Sequence, residues 1–388
     1  MAEASETQAA LGRPPLEESH RRAGARFVEG GGSVLPASYG DAAAEYEAVR
    51  GGGAGLFDLS ARGRVEVSGG EAVMFLNGML TNDVAKLEEG AWMHAAFPNP
   101  QGRLLASTRV LRDGGRFLFD TEAATHPAVL KHLERFTLAG DFRVRDLTAE
   151  TVLLSVQGAR AAELVGAAAG FVAAEAARAR VTRVPFGGGE VTVIRATHTS
   201  EDGFDLFADA AGAESLWDAL VRAGARPAGH EALEVLRVEA GVPRYGPDAS
   251  DANVVLEVVD EAEAVSYTKG CYAGQEIIAR IHGRGHVAKR LAGVVFERDA
   301  ETPPDARLRE SAGGREAGRI TSQVFSPRLR ARVGLALVKY DFLAPGTGLK
   351  VFDGDAEVSA ARVAELPLVR GSWYAQPSGG QARAGEPG

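Results

Sequence analysis

Cysteine is almost absent from this sequence, since Cys271 is the one such residue in a chain of 388. A single thiol cannot form an internal disulfide, and it cannot supply the thiolate pairs of a CxxC zinc site or the four ligands of an iron–sulfur cluster. Disulfides belong to oxidising compartments, so this scarcity favours a cytoplasmic protein. The longest charge-free apolar stretch, residues 164–174, is too short to span a bilayer, and no signal peptide is evident. We therefore expect no membrane contact.

A positive charge excess is also missing. Lys and Arg total 43 against 52 Asp and Glu, a formal net charge of −9 that argues against a general nucleic-acid coat. Hydrophobic residues make up 45% and charged residues 24%, which is ordinary for a globular chain long enough for two or three domains. The first 38 residues show no hydrophobic period and indicate a disordered arm, and residues 371–388 are rich in Gly, Pro, Ser and Gln and indicate a disordered tail.

The segments between these ends alternate between strand and helix patterns. Residues 104–111 and 116–120 predict two strands that turn at Asp113-Gly114-Gly115, and residues 231–240 predict a helix that ends at Gly241. Such a mixture predicts an α+β fold with helices packed on one face of each sheet. From Leu291 onward the apolar runs become short and are separated by Gly, Pro and Asp, which predicts a small antiparallel β-barrel.

The stretch Lys269-Gly270-Cys271-Tyr272-Ala273-Gly274-Gln275-Glu276, here called the octet, holds the cysteine between two glycines. A helix is predicted to begin at Glu276, and a nearby lysine and a helix N-terminus both favour a reactive thiolate. The alternative is a buried thiol that acts as a small hydrophobic side chain.

The octet resembles the signature of the YgfZ family, folate-binding proteins that support iron–sulfur cluster assembly and that share a superfamily with the glycine cleavage aminomethyltransferases. Further blocks with that resemblance are 56–60, 80–83, 201–205, 236–241, 245–246, 321–322 and 326–327. The resemblance implies a three-lobed ring of two α+β, ferredoxin-like lobes and a C-terminal antiparallel β-barrel, with tetrahydrofolate or another reduced folate bound in the middle. The implied domains are a folate-binding region of two intertwined lobes at 39–288 and a barrel at 289–370.

Roles for individual residues follow from the same resemblance. Cys271 is the implied functional thiol, with Lys269 and Gln275 shaping its loop. Glu201 is implied to hold the pterin ring, although Glu-Asp-Gly by itself is a turn. Folate contacts are also implied for Arg237, which could instead pair with a neighbouring acid, and for Asn82, Asp83 and Tyr245.

Two departures separate the sequence from the aminomethyltransferases. Where those enzymes continue a segment resembling residues 99–105 into a pair of aspartates, this chain has Ala106 and Ser107, and a tyrosine expected before Glu201 is His198. A methyl group cannot take a proton or steady a developing cation, so we expect the transfer chemistry to be lost. The sequence therefore leans away from an enzyme.

A cluster of basic residues surrounds the octet, namely Lys269, Arg280, Arg284, Lys289 and Arg290. It predicts an anion contact, either the glutamate tail of folate or an RNA phosphate, unless it is a solvated face. His282 and His286 do not predict a metal site, because the intervening glycines remove the helix that would align them.

Taken together, the sequence predicts a folate-binding protein that supports assembly or repair of iron–sulfur clusters, with client enzymes that include tRNA-modifying ones. The alternatives are a folate-dependent aminomethyltransferase that uses a different acid and an RNA-binding accessory module.

Overall fold

The two lobes are built on two β-sheets, and all the strands of one sheet lie in the sequence between two strands of the other. The computed structural model describes residues 15–30, 33–299, 301–311 and 314–375. The chain lays down strand Gly55–Asp58 in one sheet, leaves to build the whole of the other sheet, and returns at Thr151–Gln157 to pair antiparallel with its starting strand. The two lobes are therefore intertwined, and neither is a contiguous half of the chain.

The first lobe is a five-stranded antiparallel sheet, here called the first sheet. Its strands, in spatial order, are Ala91–Pro98, Leu104–Asp113, Arg116–Thr121, Gly63–Ser68 and Arg143–Asp146. Helices Ala72–Met79 and His126–Glu134 cover one face, because Leu76 and Leu133 pack with strand residues such as Phe119 in one fully buried cluster. These two helices do not cover the opposite face of the sheet.

The second lobe has the same plan with six strands. In spatial order these are Val181–Phe186, Gly189–Arg195, Gly203–Asp209, Thr151–Gln157, Gly55–Asp58 and Arg226–Pro227. Helices Ala161–Ala169 and Ala213–Ala223 bury Leu164, Leu216 and Trp217 against it. Each lobe thus has helices on one face, as an α+β fold requires.

The C-terminal region closes into a six-stranded antiparallel barrel, as its short alternating runs predict. Its strands, in spatial order, are Lys289–Phe296, Ala331–Lys339, Glu316–Ser326, Arg307–Glu310, Gly348–Asp353 and Ala356–Ala364. Closure pairs the first and last strands, so within the described residues the barrel leaves no free sheet edge.

The remaining elements connect these three bodies. They are the α-helices Glu17–Arg22, Ala42–Arg50, His230–Ala240, Glu261–Ala264 and Gln275–Arg284, the strands Arg26–Gly30 and Ser33–Ser38, and the 3₁₀ turns Val84–Lys86, Ala173–Glu175, Ala210–Gly212, Val255–Glu257, Tyr340–Phe342 and Ser372–Tyr374. Asp41 starts its helix by accepting the backbone N–H groups of Ala43 and Ala44. Among the described residues, no helix has the length and apolarity needed to cross a membrane.

The prediction of a disordered arm over residues 1–38 is wrong for the part that the structure describes. Residues 15–30 and 33–38 form a helix and a β-hairpin, and residues 1–14, 31 and 32 lie outside the description. Leu16 is fully buried in the second lobe, and buried His20 bonds Asp58 at 2.8 Å and the Tyr39 hydroxyl at 2.8 Å. Two such anchors offset the polar composition that indicated disorder.

The predicted disordered tail over 371–388 is likewise wrong at its beginning, because Ser372–Tyr374 forms a 3₁₀ turn. Residues 376–388 lie outside the description.

Helix His230–Ala240, here called the joint helix, connects the lobes to the barrel through buried charges. The carboxylate of Glu239, which is 0% exposed, accepts hydrogen bonds from the Tyr46 hydroxyl at 2.8 Å, from Arg50 Nε at 3.0 Å and from the Ser326 hydroxyl at 2.5 Å. Tyr46 and Arg50 belong to the helix Ala42–Arg50, and Ser326 belongs to the barrel. A single carboxylate thus joins three elements.

Removing that carboxylate should destabilise the protein strongly. We expect Glu239→Ala to lower the free energy of unfolding by about 3–5 kcal/mol, because Arg50 keeps its buried charge after losing one of its partners. Urea denaturation followed by circular dichroism measures this. The control is Glu231→Ala on the same helix, where an exposed pair with Arg26 is worth about 0–1 kcal/mol. An equal decrease in the free energy of unfolding in the two variants would contradict the role of Glu239 in joining the lobes to the barrel.

Candidate active site

A cavity of about 1560 Å³ lies where the two lobes and the barrel meet. The first sheet contributes His94 and Ser107, the second lobe contributes Thr197 and His198, and the barrel contributes Leu291. Pockets for drug-sized ligands usually measure about 300–1,000 Å³, so this cavity has room for more than one small molecule.

A chain of buried charges ties the two lobes together at the wall of the cavity. Arg109 from the first sheet donates to Asp120 through Nε at 2.7 Å and to Asp205 of the second lobe through Nη1 at 2.5 Å. His198 bonds the same Asp205 oxygen through Nε2 at 2.9 Å. Burial alone would raise the pKa of Asp205, but His198 and Arg109 hold it below the ordinary value. Because that carboxylate stays ionised, Nε2 of His198 must carry the hydrogen.

Ser107 and Glu122 both line the cavity wall at the end of one strand pair. The antiparallel pairing runs from Asp113 with Arg116 to Thr108 with Thr121, and Ser107 and Glu122 are the next residues beyond that last pair, with Glu122 just past the end of its strand. Both residues line the cavity. Burial raises the pKa of Glu122, and its Oε2 accepts the backbone N–H of Tyr245 at 2.9 Å.

Ala106 faces the other way. It is 0% exposed and lies in the core of the first lobe, because successive residues of a strand point to opposite faces of the sheet. Of the two positions where the sequence lacks the expected aspartates, position 107 alone faces the cavity.

Two of the residues predicted to bind folate, Arg237 and Tyr245, line the cavity. The Arg237 guanidinium is held by protein groups, with Nε on Glu234 at 2.8 Å, Nη1 on Asp248 at 2.7 Å and Nη2 on the Ser322 hydroxyl at 2.8 Å. Arg237 therefore ties the joint helix to the barrel, and it pairs with neighbouring acids, which was the alternative to a folate contact.

Glu201 is not among the residues that line the cavity. Its carboxylate accepts from Arg50 Nη1 at 2.9 Å and from the backbone N–H and hydroxyl of Ser372 at 2.7 and 2.6 Å. Through Arg50, Glu201 extends the network of Glu239 to the C-terminal turn.

The octet also lies apart from the cavity, and its lysine is a structural residue. Lys269 Nζ donates to the backbone carbonyls of Asn77, Leu80 and Asn82 at 2.7, 2.6 and 2.8 Å, which satisfies carbonyls at and beyond the end of helix Ala72–Met79. Burial lowers the pKa of Lys269 to about 8. Such a saturated amine holds two segments together and has no donor left for a ligand.

The second glycine of the octet packs against another turn. Gly274 has a φ of +77°, and a Cβ there would lie 2.4 Å from the Asn99 carbonyl and 2.9 Å from Gly102 Cα. Gln275 begins the following helix, and its side chain accepts weakly from Tyr272 N–H at 3.4 Å. Cys271 is exposed on this loop and does not line the cavity.

Asn82 and Asp83 are structural as well. The Asn82 amide donates to the carbonyls of His94 and Glu263, each at 2.8 Å, and Asp83 pairs with Lys86 at 3.4 Å. Neither residue lines the cavity.

The comparisons with known proteins agree along nearly the whole chain. Residues 16–259 match the family described as GCVT N-terminal domain, and residues 289–369 match the glycine cleavage T-protein C-terminal barrel domain. The chain belongs to the glycine cleavage T-protein family. An aminomethyltransferase of Rubrobacter xylanophilus is 36% identical over 365 residues, covering 93% of this chain and 95% of the relative. An aminomethyltransferase of Thermus thermophilus is 34% identical over 330 residues, covering 84% and 91%.

A solved structure agrees with the fold. The glycine cleavage system aminomethyltransferase T of Bartonella henselae superposes with a TM-score of 0.81 at 26% identity, covering 92% of this chain and 98% of that one. The expected three-lobed, α+β fold with a C-terminal barrel is confirmed. The family uses tetrahydrofolate, so the predicted cofactor class, a reduced folate, is confirmed at that level.

These findings correct the main functional prediction. The relatives named above are aminomethyltransferases of the T-protein family, so the assignment to the YgfZ family and the role in iron–sulfur assembly and tRNA modification are wrong. The expectation of a protein without enzymatic activity is wrong for the same reason. The octet misled the assignment because it was interpreted as a functional motif, whereas its lysine and its second glycine have structural roles in packing. The basic cluster is also partly neutralised, since Arg280 pairs with Glu276 and Lys289 with Glu257.

Sequence reasoning missed Glu122 and the charge chain through Arg109. The signal for Glu122 was present, because pairs counted outward from the Gly114-Gly115 turn reach Thr108 with Thr121, directly before Ser107 and Glu122. No comparable signal links Arg109 to Asp205, which are 96 positions apart.

The octet can be tested by separating its lysine from its thiol. We expect Lys269→Met to lower the free energy of unfolding by about 2–4 kcal/mol, because three carbonyls lose their donor. Chemical denaturation measures the loss. Cys271→Ser, an exposed change on the same loop, should stay within about 0.5 kcal/mol of the wild type. A Lys269→Met protein as stable as Cys271→Ser would contradict the structural role.

Proposed function

We propose that this protein is a folate-dependent aminomethyltransferase that binds tetrahydrofolate in the central cavity. The observation that carries the proposal is the agreement of both family domains, over residues 16–259 and 289–369, with a cavity at their junction. When bound, tetrahydrofolate supplies the nitrogen that receives the one-carbon unit.

The residues of the cavity suit such a ligand. Met93 and Tyr245 line it with partly exposed side chains, which offer apolar faces to a flat ring. Arg290 lines it as an exposed residue, and a guanidinium matches the carboxylates of a glutamate tail. No hydrogen bond or ion pair within the described chain occupies that guanidinium, in contrast with Arg237. We therefore assign the anionic tail to Arg290 in this proposal and leave Tyr245 as a ring contact.

The volume of the cavity leaves room for a second substrate. Beyond the space that a folate takes, the cavity can admit a carrier-bound aminomethyl group, and holding both reactants together replaces a bimolecular encounter by a bound one. The two lobes, at about 39–288, would shape the site and the barrel, at 289–370, would close it. A cytoplasmic location belongs to the same proposal, in line with the single cysteine.

Folate binding is testable at Arg290. We expect Arg290→Ala to weaken the binding of tetrahydrofolate by roughly 3- to 10-fold in calorimetry, with a smaller salt dependence, because one exposed charge contact is lost. The matched control is Arg307→Ala, an exposed barrel arginine outside the cavity, which should bind as the wild type does.

The transfer itself is tested with a carrier-bound aminomethyl donor. The wild type should release ammonia and form methylene-tetrahydrofolate, and both should depend on tetrahydrofolate. Tight folate binding with no product would contradict the proposed function.

A further inference from the structure

The cavity is lined by several carboxylates, and nearly all of them are occupied or exposed. Asp58 bonds His20, Glu234 bonds Arg237, and Glu257 bonds Asn253. The other lining acids are Glu29, Asp260, Glu263 and Glu365, of which Asp260 caps a helix and the rest are exposed.

Glu122 differs from all of these. Its side chain is half-buried, and Oε2 takes the Tyr245 N–H at 2.9 Å. Its other oxygen, Oε1, has no hydrogen-bond partner anywhere in the described part of the chain. A carboxylate held by one oxygen and free at the other has a fixed orientation and an open position for a ligand.

The position of Glu122 follows from strand register. Residues directly opposite on an antiparallel pair have Cβ atoms about 4.5–5.5 Å apart and point to the same face. Ser107 and Glu122 follow directly beyond the last such pair, Thr108 with Thr121, and both line the cavity. A carboxylate at 122 therefore lies on the same part of the cavity wall as a carboxylate at 107 would.

The surroundings of Glu122 permit it to hold a proton. Burial raises its pKa, while Arg62, Arg237 and Arg244, which come from three different segments, oppose that rise. A raised pKa makes a carboxylate a stronger base, which suits a group that takes a proton and then returns it.

We propose that Glu122 is the catalytic residue that moves the proton during transfer, a role that rests on the proposed function. Oε1 accepts the proton from the attacking N–H as the new C–N bond forms. The same oxygen then returns it to the departing amine as the old C–N bond breaks, so ammonia leaves and the carboxylate is restored. The second folate nitrogen then forms its C–N bond to the same carbon as the bond from that carbon to the carrier breaks, and the proton of that second N–H leaves on the carrier atom. Both exchanges are redox-neutral, so no oxidant is needed.

The first test separates chemistry from binding. Glu122→Gln keeps the size and the acceptor for Tyr245 N–H but cannot take a proton. We expect kcat to fall by about 10²- to 10⁴-fold, with tetrahydrofolate affinity by calorimetry within about threefold of the wild type. Glu357→Gln, an exposed barrel acid outside the cavity, is the control and should keep wild-type kcat.

The second test moves the carboxylate across the strand pair. We expect Glu122→Gln combined with Ser107→Asp to recover at least about tenfold in kcat over Glu122→Gln alone, because the acid returns to the same space from the neighbouring strand. Glu122→Asp, which keeps the acid with a shorter reach, should fall between wild type and Glu122→Gln, and it serves if the glutamine variant does not fold.

A third readout does not depend on turnover. Infrared difference spectra of the wild type on binding tetrahydrofolate should show a carboxyl group changing its protonation, and this signal should vanish in Glu122→Gln. A wild-type kcat in Glu122→Gln would overturn the assignment. So would a profile of kcat against pH whose acidic limb persists in Glu122→Gln and disappears in His198→Gln. A wild type that binds folate without transferring anything would instead overturn the proposed function, and the role of Glu122 with it.

Discussion

Buried charges on the joint helix hold the three bodies of this protein in place. Glu239 binds the helix Ala42–Arg50 and the barrel, and Arg237 binds Asp248 and the barrel hydroxyl of Ser322. A buried charge is costly unless its partner sits at the right distance, so these pairs permit one arrangement of lobes and barrel. The cavity lies at that junction, and its shape therefore depends on residues such as Arg50 that take no part in lining it.

The same requirement explains why the octet misdirected the sequence interpretation. Its residues are an unusual combination because several packing constraints coincide there. A lysine must reach three carbonyls, and Gly274 must fit against the Asn99–Gly102 turn. A rare local motif is evidence of a local constraint, and that constraint can be structural. The thiol between them is exposed and apart from the cavity.

The fold was largely predictable and the site was not. Alternation of residues along the chain indicated the hairpin at Gly114-Gly115 and the C-terminal barrel, because such patterns are local. Composition alone failed for residues 15–30 and 33–38, where one buried leucine and one bonded histidine outweigh many polar residues. The site depends on distant pairs, since Arg109 meets Asp205 across two sheets. Ala106 and Ser107 indicate the loss of an acid, whereas Glu122, just beyond the last pair of the same hairpin, places a carboxylate on the same cavity wall.

A carboxylate just past the end of the neighbouring strand thus gives this member of the T-protein family a cavity that differs in detail from the pattern expected of it. The most direct measurement is a crystal structure of the complex with tetrahydrofolate. The account predicts folate density in the central cavity, with a ligand nitrogen within hydrogen-bond distance of Glu122 Oε1 and with Lys269 still bound to its three carbonyls. Folate bound at the octet, or bound in the cavity with Glu122 turned away from it, would contradict the account.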